Sequence, residues 1–246
     1  MSFVSRNVPP SNHKMIKLSG AAKSSYVRTM FDGIAHRYDL MNTLMTLGQH
    51  HAVRRATARL AVPPRDGLAL DLATGTGDFA AALRGLEPTC RVVGIDFAIE
   101  MMRLGQGKYR HGIEFSAGDM LHLPLPNDTF DCSVNGFVLR NVSDVRAAFG
   151  EMYRVLKPGG RAVSLEITEP RTPVWRNVFA AYFDHAMPRI GGWLSGRPDA
   201  YRYLPQSVHD FLAPEAVAEL MREIGFRDVY FRRKMLGTMA VYVGIK

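Results

Sequence analysis

The fold is decided by the stretch Leu70-Asp71-Leu72-Ala73-Thr74-Gly75-Thr76-Gly77-Asp78. An apolar run leads there into a Gly-x-Gly loop that carries an acidic residue on each side, Asp71 and Asp78. Glycines let the backbone turn sharply and let a ligand approach it closely, so the pattern predicts a buried strand, a tight turn and a helix. We therefore expect a nucleotide-like cofactor at the end of this strand.

Two cofactors are compatible with this loop. A dinucleotide would place its pyrophosphate at the N-terminus of the following helix, where the helix dipole attracts it but Asp78 repels it. S-adenosylmethionine has no phosphate and carries a sulfonium and an ammonium, so acids beside the loop favour it. The run from Gly75 to Ala80 still fits the dinucleotide fingerprint Gly-x-Gly-x-x-Ala. Asp96, about 20 residues further on, suits the ribose of either cofactor, so the nicotinamide alternative stays open.

Length and composition predict one α/β domain with additions. The chain has 246 residues, 47% of them hydrophobic and 22% charged, which is enough to bury one sizeable core. Cys90 and Cys132 are too few and too far apart for a disulfide framework, so we expect free thiols and a reducing compartment. No run approaches the roughly 20 apolar residues of a membrane span. We expect a cytoplasmic protein.

The net charge of +8 belongs to the first quarter of the chain. Residues 1–65 hold ten Lys or Arg against two acids, whereas residues 66–246 hold 21 of each sign. We interpret residues 1–22 as a mobile tail and residues 23–65 as a helical cap that ends in the basic cluster Arg54, Arg55 and Arg59. No aromatic residues are interleaved with the basic ones, which disfavours nucleic acid. An anionic membrane surface is the favoured partner, and a solvated helix face is the alternative.

From residue 67 onward, strand-like and helix-like segments alternate, which predicts a Rossmann-like, mostly parallel sheet. Strands are predicted near 68–73, 91–96, 113–117, 130–136 and 161–167, and helices near 77–86, 98–107 and 143–156. After a helical insert at about 171–212, a helix begins near Pro214 and two strands close the chain, Arg227 to Lys234 and Thr238 to Ile245. A seven-stranded sheet with an antiparallel C-terminal strand is typical of class I methyltransferases, which favours the methyl donor further.

Ligands of such sheets bind beyond the carboxyl ends of the strands, so the predicted cofactor contacts end four of these strands. They are Asp71, Thr74, Gly75, Thr76, Gly77 and Asp78; Asp96, Phe97 and Met101; Asp119 and Met120; and Asn135 and Gly136. Asp96 would accept hydrogen bonds from the ribose hydroxyls and Asp119 from the adenine amino group. Phe97, with Met101 or Met120, would sandwich the ring. The sequence predicts no metal site.

A resemblance to a known family is carried by strings that occur in the family's order. The strings are Phe31-Asp32-Gly33-Ile34-Ala35, Tyr38-Asp39-Leu40-Met41-Asn42, Leu70 to Asp78, Asn127-Asp128-Thr129-Phe130-Asp131, Phe137-Val138-Leu139-Arg140-Asn141-Val142, Arg154-Val155-Leu156-Lys157-Pro158-Gly159-Gly160, Leu165-Glu166 and Tyr201-Arg202-Tyr203-Leu204. From about Tyr26 to its C-terminus, the chain resembles the menaquinone and ubiquinone biosynthesis C-methyltransferases. The Tyr-Asp-x-Met-Asn and Leu-Arg-Asn-Val strings are far more specific than the glycine loop or Lys-Pro-Gly-Gly.

The resemblance implies methyl transfer from S-adenosylmethionine to a ring carbon of a prenylated quinol, most simply demethylmenaquinol. The quinolate is the better nucleophile, so the site needs a base or a fixed positive charge at the quinol oxygen. Arg140 is the first candidate because it follows the fourth strand and a guanidinium can hold an oxyanion without titrating. Supporting candidates are Asn141 to orient the substrate, His50 to accept the proton, and Tyr38 and Tyr201 to line the pocket. Glu166 would anchor the N-terminal module or touch a ligand.

Departures from the family pattern fall on the acceptor side. The family usually has Ser, His and then Trp where this chain has Thr46, His50 and Val53; Leu-Glu-Phe-Ser is here Leu165-Glu166-Ile167-Thr168; and Tyr242 stands where the family often has His. Another quinol or aromatic ring is therefore an alternative acceptor. Two further alternatives are a nicotinamide-dependent oxidoreductase and a cofactor-binding regulator that has lost catalysis.

The insert carries an apolar stripe at helical spacing: Val174, Trp175, Val178, Phe179, Tyr182, Phe183, Ala186 and Met187. Several arginines lie in the same insert, namely Arg171, Arg176, Arg189, Arg197 and Arg202. Aromatic residues mixed with arginine suit a bilayer surface, from which a lipid-tailed acceptor would enter. A core-facing helix and a homodimer contact are the alternatives.

Overall fold

The computed structural model describes residues 19–46, 48–109 and 111–246. Helices α1 (Gly20–Thr46) and α2 (Gln49–Ala61) form the expected N-terminal cap. Most of the predicted tail, residues 1–18, lies outside the described residues. Helix α1 begins at Gly20, shortly before the predicted boundary at residue 22.

The predicted sheet is confirmed. Its strands are β1 (Leu68–Leu72), β2 (Arg91–Asp96), β3 (Ile113–Ala117), β4 (Phe130–Gly136), β5 (Leu156–Ile167), β6 (Arg227–Lys234) and β7 (Met239–Ile245). They lie in the order β3-β2-β1-β4-β5-β7-β6. Strand β7 runs antiparallel to both of its neighbours, β5 and β6, and the other pairings are parallel. The strand order reverses between β1 and β4, which is where ligands bind in sheets of this kind.

The helices also follow the predicted order. They are α3 (Asp78–Leu86), α4 (Ile99–Lys108), α5 (Val145–Val155), α6 (Pro173–Ala180), a π-helical segment (Ala181–Ala186), α7 (Met187–Ser195), α8 (Pro198–His209) and α9 (Pro214–Ile224). The insert after β5 is thus built from α6, the π-helical segment, α7 and α8. Strand β5 begins earlier than predicted, since Leu156 pairs with Phe130 ahead of a bulge in the ladder.

Both faces of the sheet are buried, which explains the continuous apolar run of β1. Leu70 and Leu72 point into one core, with Phe149 of α5 and Met221 of α9. Ala69 points into the other core, packed by α2 and α3. Buried side chains fill both cores between sheet and helices, and the cavities described below lie at the strand ends.

The N-terminal cap and the insert pack on each other above these strand ends. Ile34 and Met41 of α1 share a third core with Phe183 and Tyr201 of the insert. The hydroxyl of Tyr182 also donates to the backbone carbonyl of Met45, 3.1 Å away, which joins the insert to α1. Within the described residues, no helix combines the length and the apolar character needed to cross a bilayer.

Candidate active site

The glycine loop turns sharply between β1 and α3. Gly77 has φ +82°, and a Cβ there would lie 2.8 Å from the ring of Phe115, so only glycine fits. The loop residue Ala73 also has a positive φ, +54°, a conformation that side chains disfavour. The local strain keeps the backbone of the loop close to the sheet edge, where a ligand would lie.

Asp71 organises this loop from beneath. Its buried carboxylate accepts hydrogen bonds from the Thr74 hydroxyl at 2.7 Å and from the Ala80 backbone N–H at 2.9 Å. Burial raises the pKa of Asp71 to about 7, and these two hydrogen bonds offset only part of that effect. Asp71 thus links the end of β1 to the first turn of α3 and acts mainly on the shape of the loop.

Asp96, at the end of β2, holds the other side of the loop. Its two oxygens accept from the backbone N–H groups of Gly75 at 2.7 Å and Ala98 at 2.8 Å. Burial raises the pKa of Asp96 to about 6, against the effect of these hydrogen bonds. Each carboxylate oxygen has a further lone pair, so Asp96 retains capacity for a ligand's hydroxyl groups.

The sequence suggested that Asp78 presents a bare negative charge to a ligand. In the structure this charge is compensated. Its carboxylate pairs with Arg54 at 3.1 Å and Lys108 at 2.5 Å, and the Tyr109 hydroxyl donates to it at 3.0 Å. Burial acts to raise the pKa of Asp78, but the two cations and the hydroxyl outweigh it and lower the pKa. Asp78 would therefore repel the pyrophosphate of a dinucleotide less than the sequence indicated.

The same contact corrects the predicted basic cluster. Arg54 is 6% exposed and its guanidinium lies 5.5 Å from the centre of the Phe137 ring, whereas Arg55 and Arg59 are exposed. Arg54 faces inward because helix α2 packs on α3 and the sheet. A surface patch at the end of α2 is therefore smaller than the sequence indicated.

Helix α1 lies across the glycine loop. Asp39 accepts from the Thr76 hydroxyl at 2.8 Å and pairs with Lys108 at 2.8 Å, which also holds Asp78. Further along α1, Lys23 donates to the backbone carbonyls that follow β4, at Arg140 and Val142. Helix α1 thus connects the loops after β1 and β4.

Two small cavities lie under α1 at the strand ends, with volumes of about 40 and 30 Å³. Most of the predicted cofactor residues line them: Asp71, Thr74, Gly75, Thr76, Asp78, Asp96, Phe97, Met101 and Gly136. The two cavities meet at Gly136, where a Cβ would lie 2.7 Å from Phe79. The residues that the sequence analysis assigned to one cofactor are therefore brought together in space.

Four predicted cofactor residues do not line these cavities, namely Gly77 in the turn described above, and Asn135, Met120 and Asp119. The amide of Asn135 points into the core, where it donates to the Ser164 hydroxyl at 2.9 Å, because alternate residues of β4 face opposite sides of the sheet. Met120 packs in the core with Leu70 and Ile95 rather than against a ligand. Asp119 forms a turn in which its carboxylate accepts from the Leu121 backbone N–H at 2.9 Å. The structure thus places the side chains of Asn135 and Met120 in the core, and the contact found for Asp119 is the turn.

A much larger cavity, of about 500 Å³, lies between the N-terminal cap and the insert. Its wall is mainly apolar and aromatic: Met30, Phe31, Ile34, Met41, Met45, Phe137, Ile167, Val178, Phe179, Phe183, Met187 and Leu204. All four of the predicted catalytic residues also line it, namely Tyr38, His50, Arg140 and Asn141. A predominantly apolar cavity with a few polar groups is typical of a small-molecule site.

The large cavity and the cavity beside Asp96 share part of their walls. Phe31, Tyr38, Phe137 and Asn141 line both. A ligand at the glycine loop and a ligand in the large cavity would therefore meet at these side chains. This arrangement suits transfer of a small group between two bound molecules, because it fixes their relative position.

Comparison with known proteins identifies the family. Residues 19–246 match the model of the ubiE/COQ5 methyltransferase family. The chain belongs to this family. It is 45% identical over 225 residues to the demethylmenaquinone methyltransferase of Roseiflexus castenholzii, covering 91% of this chain and 94% of the relative. It is 41% identical over 247 residues to the demethylmenaquinone methyltransferase of Deinococcus radiodurans, covering 99% and 100%.

A solved structure supports the fold. The SAM-dependent methyltransferase of Thermotoga maritima has a TM-score of 0.64 at 17% identity, covering 89% of this chain and 98% of that one. The protein is thus a methyltransferase with S-adenosylmethionine as its methyl donor, and the oxidoreductase alternative is set aside. The structure adds what the family name does not, namely how the polar groups of the large cavity are held.

Arg140 of this ubiE/COQ5 family member is buried and paired. Its Nη1 lies 2.5 Å from a carboxylate oxygen of Glu166 and donates to the Phe137 carbonyl at 2.7 Å, while Nε donates to the Ser207 hydroxyl at 3.2 Å. Within the described residues, Nη2 has no hydrogen-bond acceptor and remains for a ligand. Glu166 also accepts from the backbone N–H groups of Arg140 and Ile167. The contacts of Glu166 therefore hold Arg140, and they do not include the N-terminal module among the described residues.

His50 is 1% exposed, and its Nδ1 lies 2.8 Å from the Thr46 hydroxyl. Burial lowers the pKa of His50 to about 4, assisted by the charge of Arg54 and by His51. The ring is therefore neutral at pH 7. A base of this strength takes a proton from a quinol hydroxyl only at a large free-energy cost, so His50 is better suited to accept a hydrogen bond.

The sequence analysis missed three polar residues of this cavity. Asn42, Trp175 and Tyr203 line it, and each has a buried side-chain nitrogen or oxygen that finds no hydrogen-bond partner among the described residues. Burial raises the pKa of Tyr203 to about 12, so its hydroxyl stays protonated. Asn42 and Tyr203 lie within the family strings, which was the available signal. Trp175 was predicted only as part of an apolar stripe that faces a membrane, the core or a second copy of the chain.

One group of potential metal ligands occurs in the described residues. The ligand atoms of His50, His51 and Asp78 lie within 4.8 Å of one another. Asp78 is already held by Arg54 and Lys108, whose positive charges oppose a cation at this position. The group therefore carries no argument for a metal-dependent reaction.

Proposed function

We propose that this methyltransferase transfers a methyl group to a ring carbon of a prenylated quinol, most simply demethylmenaquinol to give menaquinol. The observation that carries the proposal is the shared wall of the two cavities at Tyr38, Phe137 and Asn141. It brings an aromatic, apolar acceptor site against the glycine loop. The relatives named demethylmenaquinone methyltransferase support the same acceptor.

The donor side of the proposal rests on Asp96 and its neighbours. We assign the ribose hydroxyls to Asp96, and the adenine ring to Phe97 and Met101, which line the same small cavity. When bound, S-adenosylmethionine supplies a methyl group on a cationic sulfur. The backbone of Gly75, fixed by its hydrogen bond to Asp96, then sets the position of that molecule relative to the acceptor.

The acceptor side rests on Arg140 and Asn141. Loss of one quinol hydroxyl proton to water makes the ring a stronger carbon nucleophile, and the free Nη2 of Arg140 can donate a hydrogen bond to the resulting oxyanion. Once the methyl group has left sulfur for the ring carbon, the hydrogen on that carbon leaves as a proton, the ring regains its aromaticity and the oxygen is protonated again. Asn141 donates from Nδ2 to the Phe137 carbonyl at 3.1 Å, which turns its unpartnered Oδ1 toward a ligand in the cavity. Tyr38 closes the wall between donor and acceptor. Arg140 and Asn141 thus position the ring carbon for an in-line transfer.

We further propose that the mouth of the acceptor cavity docks on the anionic inner surface of the membrane, so that the protein is cytoplasmic and peripheral. Val178 and Tyr182 both line the cavity and remain 50% and 41% exposed, which places its opening along the face of α6 and the π-helical segment that carries them. Two more exposed apolar residues adjoin this face: Val174 lies one turn before Val178, and Leu44 precedes Met45, whose carbonyl accepts from Tyr182. A lipid tail would enter here directly from the bilayer. A second copy of the chain is the competing occupant of this surface.

The proposal is tested by mass spectrometry of acceptors incubated with the purified protein and S-adenosylmethionine. The panel contains chemically reduced demethylated naphthoquinones and benzoquinones with and without a prenyl tail. The expected result is addition of one methyl group to a ring carbon of the prenylated naphthoquinol. Methylation only of benzoquinols would replace the acceptor, and transfer to none of them, with the donor shown to bind by calorimetry, would overturn the proposal.

A further inference from the structure

The wall of the acceptor cavity contains buried polar atoms that have no partner in the described part of the chain. They are Asn42 Nδ2, His50 Nε2, Asn141 Oδ1, Trp175 Nε1 and the Tyr203 hydroxyl. A buried polar group without a hydrogen bond costs free energy, so such atoms mark positions that a ligand satisfies. Among them, only His50 has a donor or acceptor character that depends on where a proton sits.

The hydrogen bonds of Thr46 determine that proton position. The Thr46 hydroxyl has one hydrogen, and it donates this hydrogen to the Asn42 carbonyl at 2.7 Å. The same oxygen accepts from the His50 backbone N–H at 3.3 Å and lies 2.8 Å from His50 Nδ1. Because the hydroxyl hydrogen is already used, the short contact is satisfied only if Nδ1 carries a proton and donates it to Thr46.

The other ring nitrogen of His50 is therefore a lone-pair acceptor. A neutral imidazole has one N–H, and here it lies on Nδ1, which leaves Nε2 unprotonated. The His50 ring also lies against the His51 ring, with 3.8 Å between the ring centres and 38° between the ring planes. A ligand in the cavity meets a fixed acceptor at this position, and it must bring a donor.

We propose that Thr46 is a positioning residue that locks the His50 tautomer, and that His50 Nε2 accepts a hydrogen bond from a hydroxyl group on the acceptor ring. The inference rests on the proposed function, since it concerns how that ring is recognised. It makes His50 a specificity-determining residue: a ring with a free hydroxyl satisfies Nε2, whereas the oxidised quinone or an O-alkylated ring leaves it buried without a partner.

The test compares two air-stable probes, 1-naphthol and 1-methoxynaphthalene. In the second probe a methyl group replaces the hydroxyl hydrogen of the first. Binding is measured by calorimetry with the full chain saturated with S-adenosylhomocysteine. Wild type is expected to prefer naphthol by about tenfold, since a lost hydrogen bond with an unsatisfied buried partner costs on the order of 1–3 kcal/mol. Equal affinity for the two probes would overturn the assignment of Nε2.

Variants of Thr46 test the positioning role. Thr46→Val removes the acceptor for Nδ1–H, so it should abolish the preference for naphthol, and Thr46→Ser should restore it. Thr43→Val is the matched control, because the Thr43 hydroxyl donates to the Asp39 carbonyl at 2.8 Å in the same helix and has no contact with His50. A Thr46→Val protein that keeps the full preference would contradict the role of Thr46.

Long-range ¹H–¹⁵N spectra of the His50 ring give a second readout that a purely structural role would not move. Wild type, Thr46→Ser and Thr43→Val should show the Nδ1–H tautomer, and Thr46→Val a mixture or the Nε2–H tautomer. The Nε2–H tautomer in wild type would overturn the inference. These results stand apart from the methylation assay: a protein that methylates the quinol but shows no tautomer lock loses only this inference.

Discussion

Arg140 Nη1 and Glu166 Oε1 lie 2.5 Å apart, and both side chains are buried. The ion pair neutralises the charge that each residue would carry alone at the strand ends. It also fixes the guanidinium, since Phe137 and Ser207 hold two of its other donor positions. The ion pair therefore leaves Nη2, with its two N–H groups, as the nitrogen of Arg140 that can donate to a ligand in the acceptor cavity.

Glu166→Gln should destabilise the protein strongly. Removing one partner of a buried ion pair leaves the other charge uncompensated, which costs about 3–5 kcal/mol. The free energy of unfolding, measured by guanidinium titration, is expected to fall by this amount. Glu219→Gln is the control, because Glu219 pairs with Arg222 on the surface at 2.9 Å and should change little. Equal small effects in both variants would show that the Arg140 pair contributes no special stability.

Arg140→Lys should reduce turnover while the donor still binds. Lysine keeps a positive charge beside Glu166, so the fold is retained, but it cannot reproduce the fixed fork of guanidinium donors. Loss of one donor to a developing oxyanion typically costs about 100-fold to 1,000-fold in turnover. The measurement is the rate of quinol methylation, with S-adenosylhomocysteine affinity from calorimetry as the control. Unchanged turnover would remove Arg140 from the mechanism.

Asp39→Ala should weaken cofactor binding by roughly fivefold, the scale of one partly exposed ion pair. Asp39 joins helix α1 to Thr76 and Lys108, so its loss loosens the helix over the glycine loop. Calorimetry with S-adenosylhomocysteine and hydrogen exchange of residues 20–46 would measure the effect. Asp199→Ala is the control, since Asp199 lies in α8 and forms a weak, exposed ion pair with Arg202 at 4.0 Å. Faster exchange in α1 without any change in affinity would contradict this prediction.

Asp71→Asn should change how stability depends on pH. Burial raises the native pKa of Asp71 to about 7, so between pH 4 and pH 7 the native protein keeps a proton that the unfolded chain releases. Stability from this group is thus present at low pH and is lost as the pH rises through that window. Asparagine does not titrate and can still accept from Thr74 and Ala80. Guanidinium titrations give the free energy of unfolding at pH 5 and pH 8. Relative to wild type, the variant should be more stable by a few kcal/mol at pH 8 than at pH 5. The same difference between the two proteins at both pH values would refute the raised pKa of Asp71.

The strand ends could be predicted from the sequence because they depend on local patterns. The apolar run before Asp71, the acid at Asp96 and the glycines between them are spaced by the strand and turn themselves. These features also predicted most of the residues that line the two small cavities beside the loop. The family strings extended the prediction to Arg140 and Asn141, which lie at the shared wall.

Side-chain partners across the fold could not be predicted in the same way. Asn135 lies in β4 next to Gly136, yet the alternation of the strand turns its amide into the core. Arg54 looked like a surface cation because the sequence does not show which face of α2 packs on α3. Glu166 meets Arg140 only after two strands are placed side by side, which no local pattern encodes.

The last prediction concerns the opening of the acceptor cavity. A lipid-tailed substrate resides in a bilayer, and the exposed apolar residues around the opening would contact the same bilayer. Leu44 and Val174 flank the opening, are 47% and 75% exposed, and do not line the cavity. Replacing both with Ser removes apolar area that would enter the lipid interface but leaves the acceptor site intact.

The double variant Leu44→Ser/Val174→Ser should therefore bind vesicles of anionic phospholipid several-fold more weakly than wild type in a sedimentation assay. Methylation of a tail-less quinol should be unchanged, while methylation of a vesicle-bound prenylated quinol should fall. Val62→Ser is the control: Val62 is 58% exposed but follows α2 at the end of the molecule where the strands begin. If the double variant binds vesicles as wild type does but loses self-association by sedimentation velocity, the rim joins two copies of the chain and the membrane assignment fails.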